Sequence, residues 1–331
     1  MTSVTTQDDI VKGAALLAEG RLVAFPTETV YGLGADARDE AAVARVFQVK
    51  GRPSNNPLIV HVATVSDIER YCDISRSWDP TVVRSRLRKL STLWPGPLSV
   101  ILPRGKEVAT NVCAGGDTVA IRIPRHPVAL KLLELFGGPI AAPSANQSMY
   151  VSPTTAQHVR DSLKNTIDLI IDGGPCAVGI ESTVLSLLHS TPRILRPGAV
   201  TSETLSDVLG CSVQSPNNLK PSEPEELLSP GMLAKHYAPH TPVRLKTSLS
   251  QHEGLPPRVG ALIFSDWNPL FPVTQSKILS PNGDLEETAA HLFGALRDLD
   301  AADLDLIVVD TCEPIGLGEA IMDRLIRASR R

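Results

Sequence analysis

A loop directly after a helical segment concentrates side chains suited to binding a strongly anionic ligand. Residues 50–57 read Lys-Gly-Arg-Pro-Ser-Asn-Asn-Pro, so two cations stand among amide and hydroxyl groups where Gly and Pro restrict the backbone. Lysine supplies a point charge and arginine a planar fork of donors, a combination that suits a polyphosphate. Lys50 and Arg52 taken alone would equally fit a solvated basic turn. The loop therefore predicts an anion site only if other polar segments of the chain lie close to it in the fold.

Similar polar clusters recur at the ends of predicted strands. Residues 143–146 (Pro-Ser-Ala-Asn) follow an apolar run, and residues 181–183 and 196–198 read Glu-Ser-Thr and Arg-Pro-Gly. Arg122 stands inside the strand-like run AIRIP, where an inward-pointing cation needs an anionic partner. Because α/β proteins bind ligands at strand ends, these clusters favour a shared ligand site.

Other motifs are weaker. Residues 32–37 contain G-x-G-x-x-A, but PTETV separates them from the preceding strand and Asn56 stands where a ribose-binding acid is expected. We therefore predict a tight turn with close backbone approach, either structural or lining a pocket. No Walker A pattern occurs. His236 and His240 are four apart, but Pro239 between them argues against a metal pair, and we predict no metal held directly by side chains.

Length and composition set the broad class. A chain of 331 residues favours two domains. The net charge of -4 argues against a large uniform basic surface for nucleic acid, although a local basic stretch runs from Arg84 to Lys106. Five cysteines without a C-x-x-C pair suggest free thiols in a reducing compartment. No segment is apolar enough to span a bilayer, so we expect a cytoplasmic protein without membrane contact.

Alternating patterns predict an α/β fold. Strands are predicted at residues 22–25, 57–62, 97–103, 118–124, 259–265 and 304–310, and helices at residues 8–19, 41–50, 126–137, 285–299 and through Ile326 at the end of the chain. Their irregular order favours a mixed sheet. We predict a catalytic domain at residues 8–210, a Pro- and Ser-rich linker or lid at 211–241, and a smaller α/β domain at 242–331.

The ordered motifs resemble those of the threonylcarbamoyl-AMP synthase family in its two-domain form. The resemblance is carried by PTETVYGLGADA, KGRPSNNPLIVH, WPGPLSVIL, TVAIRIPRHP, APSANQS, SPT, ESTV, RPGAV and SPGMLAKHYAP. It implies a YrdC-like mixed twisted sheet around a concave basic cleft, followed by a Rossmann-like α/β domain. It also implies synthesis of L-threonylcarbamoyladenylate and pyrophosphate from L-threonine, bicarbonate or CO2, and ATP with Mg²⁺. A separate threonylcarbamoyltransferase would use the product to form N6-threonylcarbamoyladenosine in tRNA.

The same resemblance implies roles for individual residues. Lys50 and Arg52 would hold the triphosphate and stabilise charge during the reaction. The other implied ATP-binding residues are Asn56, Thr118, Ser144, Asn146, Ser152, Arg196, His236 and Tyr237. The implied L-threonine contacts are Thr29, His61, Arg122, Ala142 and Ser182, with Thr27 as a further candidate.

Two other functions stay open at this stage. The stretch at residues 84–106 would suit a module that binds RNA weakly without turning over ATP, although aromatic residues are only 4% of the chain. A carbamoyl-transfer role like that of related domains in hydrogenase maturation proteins is the second, but the chain lacks their cysteine pairs.

Overall fold

A long mixed sheet organises the first part of the chain. The computed structural model describes residues 7–164, 166–216, 236–249, 254–267, 269 and 271–330. Across these residues the first sheet has the strand order β7-β1-β2-β6-β3-β5-β4-β8-β9. Its strands are β1 (Val23–Phe25), β2 (Gly32–Asp36), β3 (Ile59–His61), β4 (Leu98–Pro103), β5 (Thr118–Arg122), β6 (Ile140–Ala141), β7 (Leu169–Ile170), β8 (Thr183–Ser186) and β9 (Arg193–Arg196). The sheet contains both parallel and antiparallel strand pairs, which confirms the predicted mixed sheet.

Helices cover both faces of this sheet. They are α1 (Gln7–Ala18), α2 (Glu40–Lys50), α3 (Val65–Tyr71), α4 (Pro80–Leu90), α5 (Pro127–Phe136), α6 (Ala156–Leu163) and α7 (Ser202–Leu209). One core lies under α2, α4 and α7 and a second under α1 and α5. Leu205 and Leu209 of α7 belong to the first core, so the chain through α7 packs with the long sheet.

The last part of the chain forms a separate parallel sheet with the order β10-β13-β11-β12. Its elements are β10 (Val243–Leu245), β11 (Val259–Ile263), β12 (Gln275–Ile278), α8 (Leu285–Asp300), β13 (Leu306–Val309) and α9 (Leu317–Ser329). The buried strand β13 pairs with both β10 and β11, as expected for an α/β unit with helices on its faces. The final helix continues three residues past Ile326, to Ser329.

Helix α2 positions the anion-binding loop. The side chain of Asp39 accepts hydrogen bonds from the backbone amides of Ala41 and Ala42, which caps the first turn. Gly51, with φ of 58°, ends the helix in the left-handed conformation. Lys50 is therefore the last helical residue, and Arg52 begins the loop that leads towards β3.

The glycine motif is a strand rather than the predicted tight turn. Residues Gly32–Asp36 form β2 between β1 and β6. A Cβ on Gly34 would lie 2.9 Å from the ring of Phe25 and 2.8 Å from Ile140. The expected close backbone approach is thus present, but it packs one strand against neighbouring side chains. Glycines weaken the alternation by which strands are identified, which explains the error.

The two sheets share one apolar contact zone. Val30, Val151 and Ile180 from the first part belong to the same buried cluster as Phe293 of α8 and Tyr237. Of the predicted linker, residues 217–235 lie outside the described residues. Within the described part of the chain, no helix combines the length and apolar character needed to cross a membrane.

We expect Gly179→Ala to weaken the contact between the two sheets. A Cβ there would lie 2.4 Å from the carbonyl oxygen of Ala289 in α8, at a backbone φ of +76°. The matched control is Gly174→Ala, since Gly174 has φ of +83° but open space around its Cβ position. Gly174→Ala should cost about 1 kcal/mol of unfolding free energy, and Gly179→Ala at least about 2 kcal/mol more. Equal denaturant midpoints for the two variants would contradict this expectation.

Candidate active site

A buried pocket opens where several strand ends meet the start of the second sheet. Its walls come from the loop after β1, the loop after α2, the ends of β3 and β5, the segment after β6, and the segments around β8 and β9. The pocket is lined by Thr27, Thr29, Val30, Gly32, Arg52, Ile59, His61, Arg122, Ala142, Pro143, Ser144, Glu181, Ser182, Arg196, His236 and Tyr237. All five residues implied for threonine and five of those implied for ATP therefore lie around one cavity.

Arg122 has the anionic partner that its position required. Its Nη2 lies 2.8 Å from Oε1 of Glu28, and both side chains are only 4% and 5% exposed. Nη1 donates to the hydroxyl of Thr29 (2.9 Å) and Nε to the carbonyl of Gly96 (3.3 Å). The Nη2 to Oε1 contact lacks the alignment of a hydrogen bond. Since a guanidinium carries five N–H groups, donors remain for a carboxylate ligand.

Lys50 is a buried amine with neutral partners. Its Nζ donates to the carbonyl of Ser144 (2.5 Å), to the carbonyl of Asn146 and to Oδ1 of Asn146 (3.4 Å). Burial, reinforced by the nearby charge of Arg52, holds the pKa of Lys50 well below its ordinary value. A buried charge without an opposite charge is costly, so the site favours an anion beside Lys50.

Arg52 is held in the same way by its own loop. Its Nη2 donates to Oδ1 of Asn56 (2.5 Å) and to the carbonyl of Pro57 (2.8 Å), and its Nε to the carbonyl of Asn56 (3.0 Å). Burial lowers the pKa of Arg52 to about 9, so the guanidinium stays charged at neutral pH. Among the described residues, no carboxylate lies within ion-pair distance of Arg52 or Lys50. Asn56 also leaves its buried Nδ2 without a hydrogen-bond partner.

Thr118 lies at the far end of β5 from Arg122. They are four positions apart, or about 13 Å along a strand. Ile59 of β3 pairs in parallel with Ala120, so Thr118 lies at the end of the sheet where the loop of Arg52 and Asn56 enters β3. Thr118 therefore belongs with the loop rather than with the Arg122 end of the pocket.

His61 is neutral in the pocket. Burial, together with the charge of Arg122, lowers the pKa of His61 to about 3. Its ring meets that of Phe25 edge to face at 5.9 Å. Its Nδ1 is buried without a hydrogen-bond partner. Such an orphaned polar atom is rare in a folded protein and marks a position for a ligand group.

Ser152, Glu181, Ser182 and Arg196 form a connected wall. Ser152 donates to Oε1 of Glu181 at 2.5 Å. Arg196 donates to the carbonyl of Ser182 (2.9 Å) and to its hydroxyl (3.1 Å). The hydroxyl of Ser182 also lies 2.8 Å from that of Ser99 in β4. These bonds place three of the implied residues on adjoining segments.

His236 and Tyr237 enter the pocket from the second part of the chain. Their rings lie 4.1 Å apart, and Tyr237 stacks on Phe293 of α8 at 5.6 Å. Burial and the surrounding cations hold the pKa of His236 well below its ordinary value, so this ring is neutral. The hydroxyl of Tyr237 is buried without a hydrogen-bond partner. The pocket is thus covered by two neutral rings, one of which carries an unused polar group.

The structure also places residues that the sequence interpretation did not assign. Glu28 is the partner of Arg122, and Glu181 joins Ser152 to Arg324, a fully buried arginine of α9. Glu28 and Glu181 stand inside the PTET and ESTV motifs, which was the available signal. Nothing local in the sequence marks Arg324. Lys50, Asn56, Asn146 and Ser152 support the pocket wall from behind.

The basic stretch of α4 is engaged within the molecule. Arg84 lies 3.8 Å from Glu69, and Arg86 donates to the carbonyl of Ser190 at 2.6 Å. Lys89 donates to the carbonyl of Leu209 at 2.6 Å. These contacts tie α4 to α3 and to α7. They give no specific support to an RNA-binding surface.

Two family profiles divide almost the whole chain between them. The Sua5/YciO/YrdC family, described as telomere recombination, matches residues 15–198. The profile of the threonylcarbamoyl-AMP synthase C-terminal domain matches residues 200–330. The chain belongs to the threonylcarbamoyl-AMP synthase family.

Full-length relatives of this family agree with the assignment. The threonylcarbamoyl-AMP synthase of Bacillus subtilis (strain 168) is 40% identical, over 98% of this chain and 94% of its own length. That of Schizosaccharomyces pombe (strain 972) is 37% identical, over 93% and 84%. The crystal structure of P. abyssi Sua5 complexed with L-threonine superposes with a TM-score of 0.84 at 38% identity, covering 97% of this chain and 94% of that one. The fold described above, with both of its sheets, is thus similar to that of the P. abyssi protein.

We expect Glu28→Gln to destabilise the protein far more than a matched surface change. Removal of the carboxylate charge leaves the buried Arg122 cation unpaired, at a cost of about 3 kcal/mol. The control is Glu107→Gln, since Glu107 pairs with Arg70 at 3.1 Å but both side chains are about half exposed. That change should cost at most about 1 kcal/mol. Urea unfolding measures both free energies, and similar values would contradict the importance of the buried pair.

Proposed function

We propose that this chain is an L-threonylcarbamoyladenylate synthase, which joins L-threonine, bicarbonate or CO2, and ATP and releases pyrophosphate. The observation that carries the proposal is the pair of buried cations, Lys50 and Arg52, whose described partners are all neutral. They adjoin a pocket that also holds Arg122, which has donors left for a carboxylate. One cavity therefore offers separate sites for a polyphosphate and an amino acid.

In the proposed arrangement, Arg122 binds the carboxylate of L-threonine and Thr29 lies beside it. His61, kept neutral, offers its unpartnered Nδ1 to a polar group of the amino acid without adding charge. Ala142 would contact the threonine methyl group, and Ser182 would bind another polar atom. A methyl contact is worth only about 1–3 kcal/mol, so L-serine should be a poor but detectable substrate.

The nucleotide would occupy the neighbouring half of the cleft. Arg52 lines the pocket and Lys50 lies behind its wall at Ser144. Both would neutralise the triphosphate, and Ser144 and Arg196 would line its path. The supporting set is completed by Asn56, Thr118, Asn146, Ser152, His236 and Tyr237. Magnesium would arrive as part of the MgATP substrate. The described residues contain no cluster of three or more acidic, histidine or cysteine side chains that would hold a metal by themselves.

The chemistry then requires positioning and charge neutralisation. The threonine amine forms a bond to the carbon of CO2 and loses a proton, which gives the carbamate. A carbamate oxygen attacks the α-phosphorus, and the bond to the β-phosphate oxygen breaks so that pyrophosphate leaves with the electron pair. Lys50 and Arg52 stabilise charge on that leaving group. His236 and Tyr237 exclude water, which protects the adenylate from hydrolysis.

The proposed division of the chain assigns this chemistry to residues 8–210, with residues 211–241 as linker and lid and 242–331 as the second domain. The packing of α7 in the main core supports a first domain that extends past residue 200. A separate threonylcarbamoyltransferase would take the product and modify tRNA. No specific observation favours an RNA-binding module without ATP turnover.

The test of the proposal is pyrophosphate release and formation of threonylcarbamoyl-AMP by the purified protein. Both should require ATP, bicarbonate and L-threonine together. Lys50→Met and Arg122→Met should each lower kcat/KM at least about 100-fold, because each removes a positive charge that is proposed to stabilise a substrate anion. Lys277→Met is the control, since Lys277 forms an exposed pair with Asp298 in the second sheet. Pyrophosphate release that ignores threonine would overturn the proposal.

We also expect ATP binding to take up protons through Lys50. Burial lowers the pKa of Lys50 in the free protein, and a bound triphosphate favours its charged form, so the pKa rises on binding. By linkage, ATP affinity should fall as pH rises through the pKa of the free protein. Titration calorimetry over a series of pH values up to neutral pH, where Arg52 stays charged, in two buffers of different ionisation enthalpy measures the uptake. Lys50→Arg keeps a charge that does not titrate, so equal uptake in both proteins would contradict the assignment.

A further inference from the structure

A single arginine of the second sheet reaches the wall of the pocket. Arg324 lies on α9 and its side chain is 0% exposed. Arginine is almost never fully buried unless it is paired. Burial alone would lower its pKa, but the adjacent carboxylates of Glu181 and Asp323 keep that pKa above the ordinary value, so the guanidinium is charged. A fully buried charge costs free energy, so the contacts that compensate it show what this arginine does at the junction of the two sheets.

The contacts of Arg324 are made largely with the first part of the chain. Nε donates to Oε2 of Glu181 at 2.9 Å, and Nη2 donates to the carbonyl of Pro197 at 3.0 Å. Nη1 donates to Asp323 on its own helix at 2.7 Å. The guanidinium also lies 5.1 Å from the ring centre of Tyr237, within range of a cation–π contact. One planar group thus joins α9, two segments of the first sheet and the segment that covers the pocket.

Those segments carry residues of the proposed nucleotide site. Glu181 lines the pocket and accepts a hydrogen bond from Ser152 through its other oxygen, Oε1. Pro197 directly follows Arg196. Arg324 is therefore linked to Ser152 through the carboxylate of Glu181. It binds the residue that follows Arg196 and contacts the ring of Tyr237.

The charge of Arg324 has a second effect. Glu181 is the carboxylate that faces the pocket, and an unpaired negative charge there would repel a triphosphate. Arg324 neutralises it from behind while leaving the pocket face of the wall unchanged. Arg297 of α8 also crosses between the sheets, but it donates to the carbonyls of Val151 and Ser152 and to the hydroxyl of Ser162. Of these two arginines, Arg324 is the one that pairs with a carboxylate lining the pocket.

We propose that Arg324 is a positioning residue through which the second domain completes the ATP site. Its guanidinium fixes Glu181, the peptide after Arg196 and the ring of Tyr237, and it cancels the charge of Glu181. The inference rests on the proposed function for the identity of the nucleotide. It does not require Arg324 to touch the substrate.

Full-length variants separate this role from simple domain adhesion. Arg324→Met should weaken binding of α,β-methylene-ATP with Mg²⁺ at least about 10-fold and raise KM for ATP, while KM for L-threonine changes less than about 2-fold. Arg324→Lys should recover part of the loss, since it restores charge without the planar fork. Adding Glu181→Gln to Arg324→Met should recover nucleotide affinity, because the uncompensated charge is gone. A purely structural contact predicts no such recovery.

The matched control is Arg327→Met. Arg327 pairs with the same Asp323 at 2.8 Å on the same helix, so its loss tests for general damage to α9. Wild-type nucleotide affinity in folded Arg324→Met would overturn the inference. Arg324→Met that raises KM equally for ATP and L-threonine, with no recovery when Glu181→Gln is added, would also overturn it. If Arg324→Met does not fold, Arg324→Lys and Glu181→Gln decide the outcome by the same measurements. A wild-type protein that binds the analogue but forms no threonylcarbamoyl-AMP would refute the proposed function instead.

Discussion

The site depends on two cations that the fold keeps out of water without giving them carboxylate partners. Lys50 and Arg52 are bonded to carbonyl and amide oxygens, and burial lowers the pKa of both. Such an arrangement costs free energy, which the surrounding core must offset. The cap at Asp39, the left-handed turn at Gly51 and the packing of α2 hold this arrangement in place. A polyphosphate would supply the missing negative charge.

The two halves of the cleft are prepared in different ways. Arg122 already has a carboxylate at ion-pair distance, Glu28, so an incoming amino acid would share a partnered cation. Lys50 and Arg52 have no such partner among the described residues, so an incoming triphosphate would be the first anion to stabilise the charged form of both. Because Glu28 already pairs with Arg122, a bound carboxylate gains less electrostatic energy there and depends more on hydrogen-bond geometry. Lys50 and Arg52 have no carboxylate partner in the described part of the chain, so a bound anion gains more electrostatic energy beside them. This difference suits a small amino acid on one side and a highly charged nucleotide on the other.

Local patterns predicted much of the fold. Apolar periodicity and end signals located α2, α5 and α8 to within one or two residues, and β4 and β5 stood out as buried runs. Strand β2 was missed because two of its five residues are glycines and leave no alternating side chains. The motif loops brought the pocket residues together because strand ends converge in a mixed sheet. The position along a strand, however, decides at which end of the sheet each residue lies, and Thr118 and Arg122 stand at opposite ends of β5.

Partners distant in sequence could not be predicted from local pattern. Glu28 and Arg122 are 94 positions apart, and Glu181 and Arg324 are 143 apart, so only the folded chain brings them together. Conversely, the anionic partner of Arg122 could be expected, though not named, because a buried cation inside a strand must be compensated. Physical necessity therefore predicted that a partner exists, while topology alone identified it.

The covering residues show how the second sheet can close the pocket without adding positive charge. His236 is kept neutral by burial and by Arg52, Lys50 and Arg196 around it. Tyr237 places a neutral ring between Arg324 and Phe293. A protonated histidine here would add another cation beside Arg52 and Arg196. Neutral rings instead exclude water, which strengthens every charge interaction inside the cleft. The cover thus strengthens the attraction between the buried basic groups and an anionic substrate. The same exclusion of water raises the free-energy cost of their charges in the free protein, so the site favours anionic ligands over neutral ones.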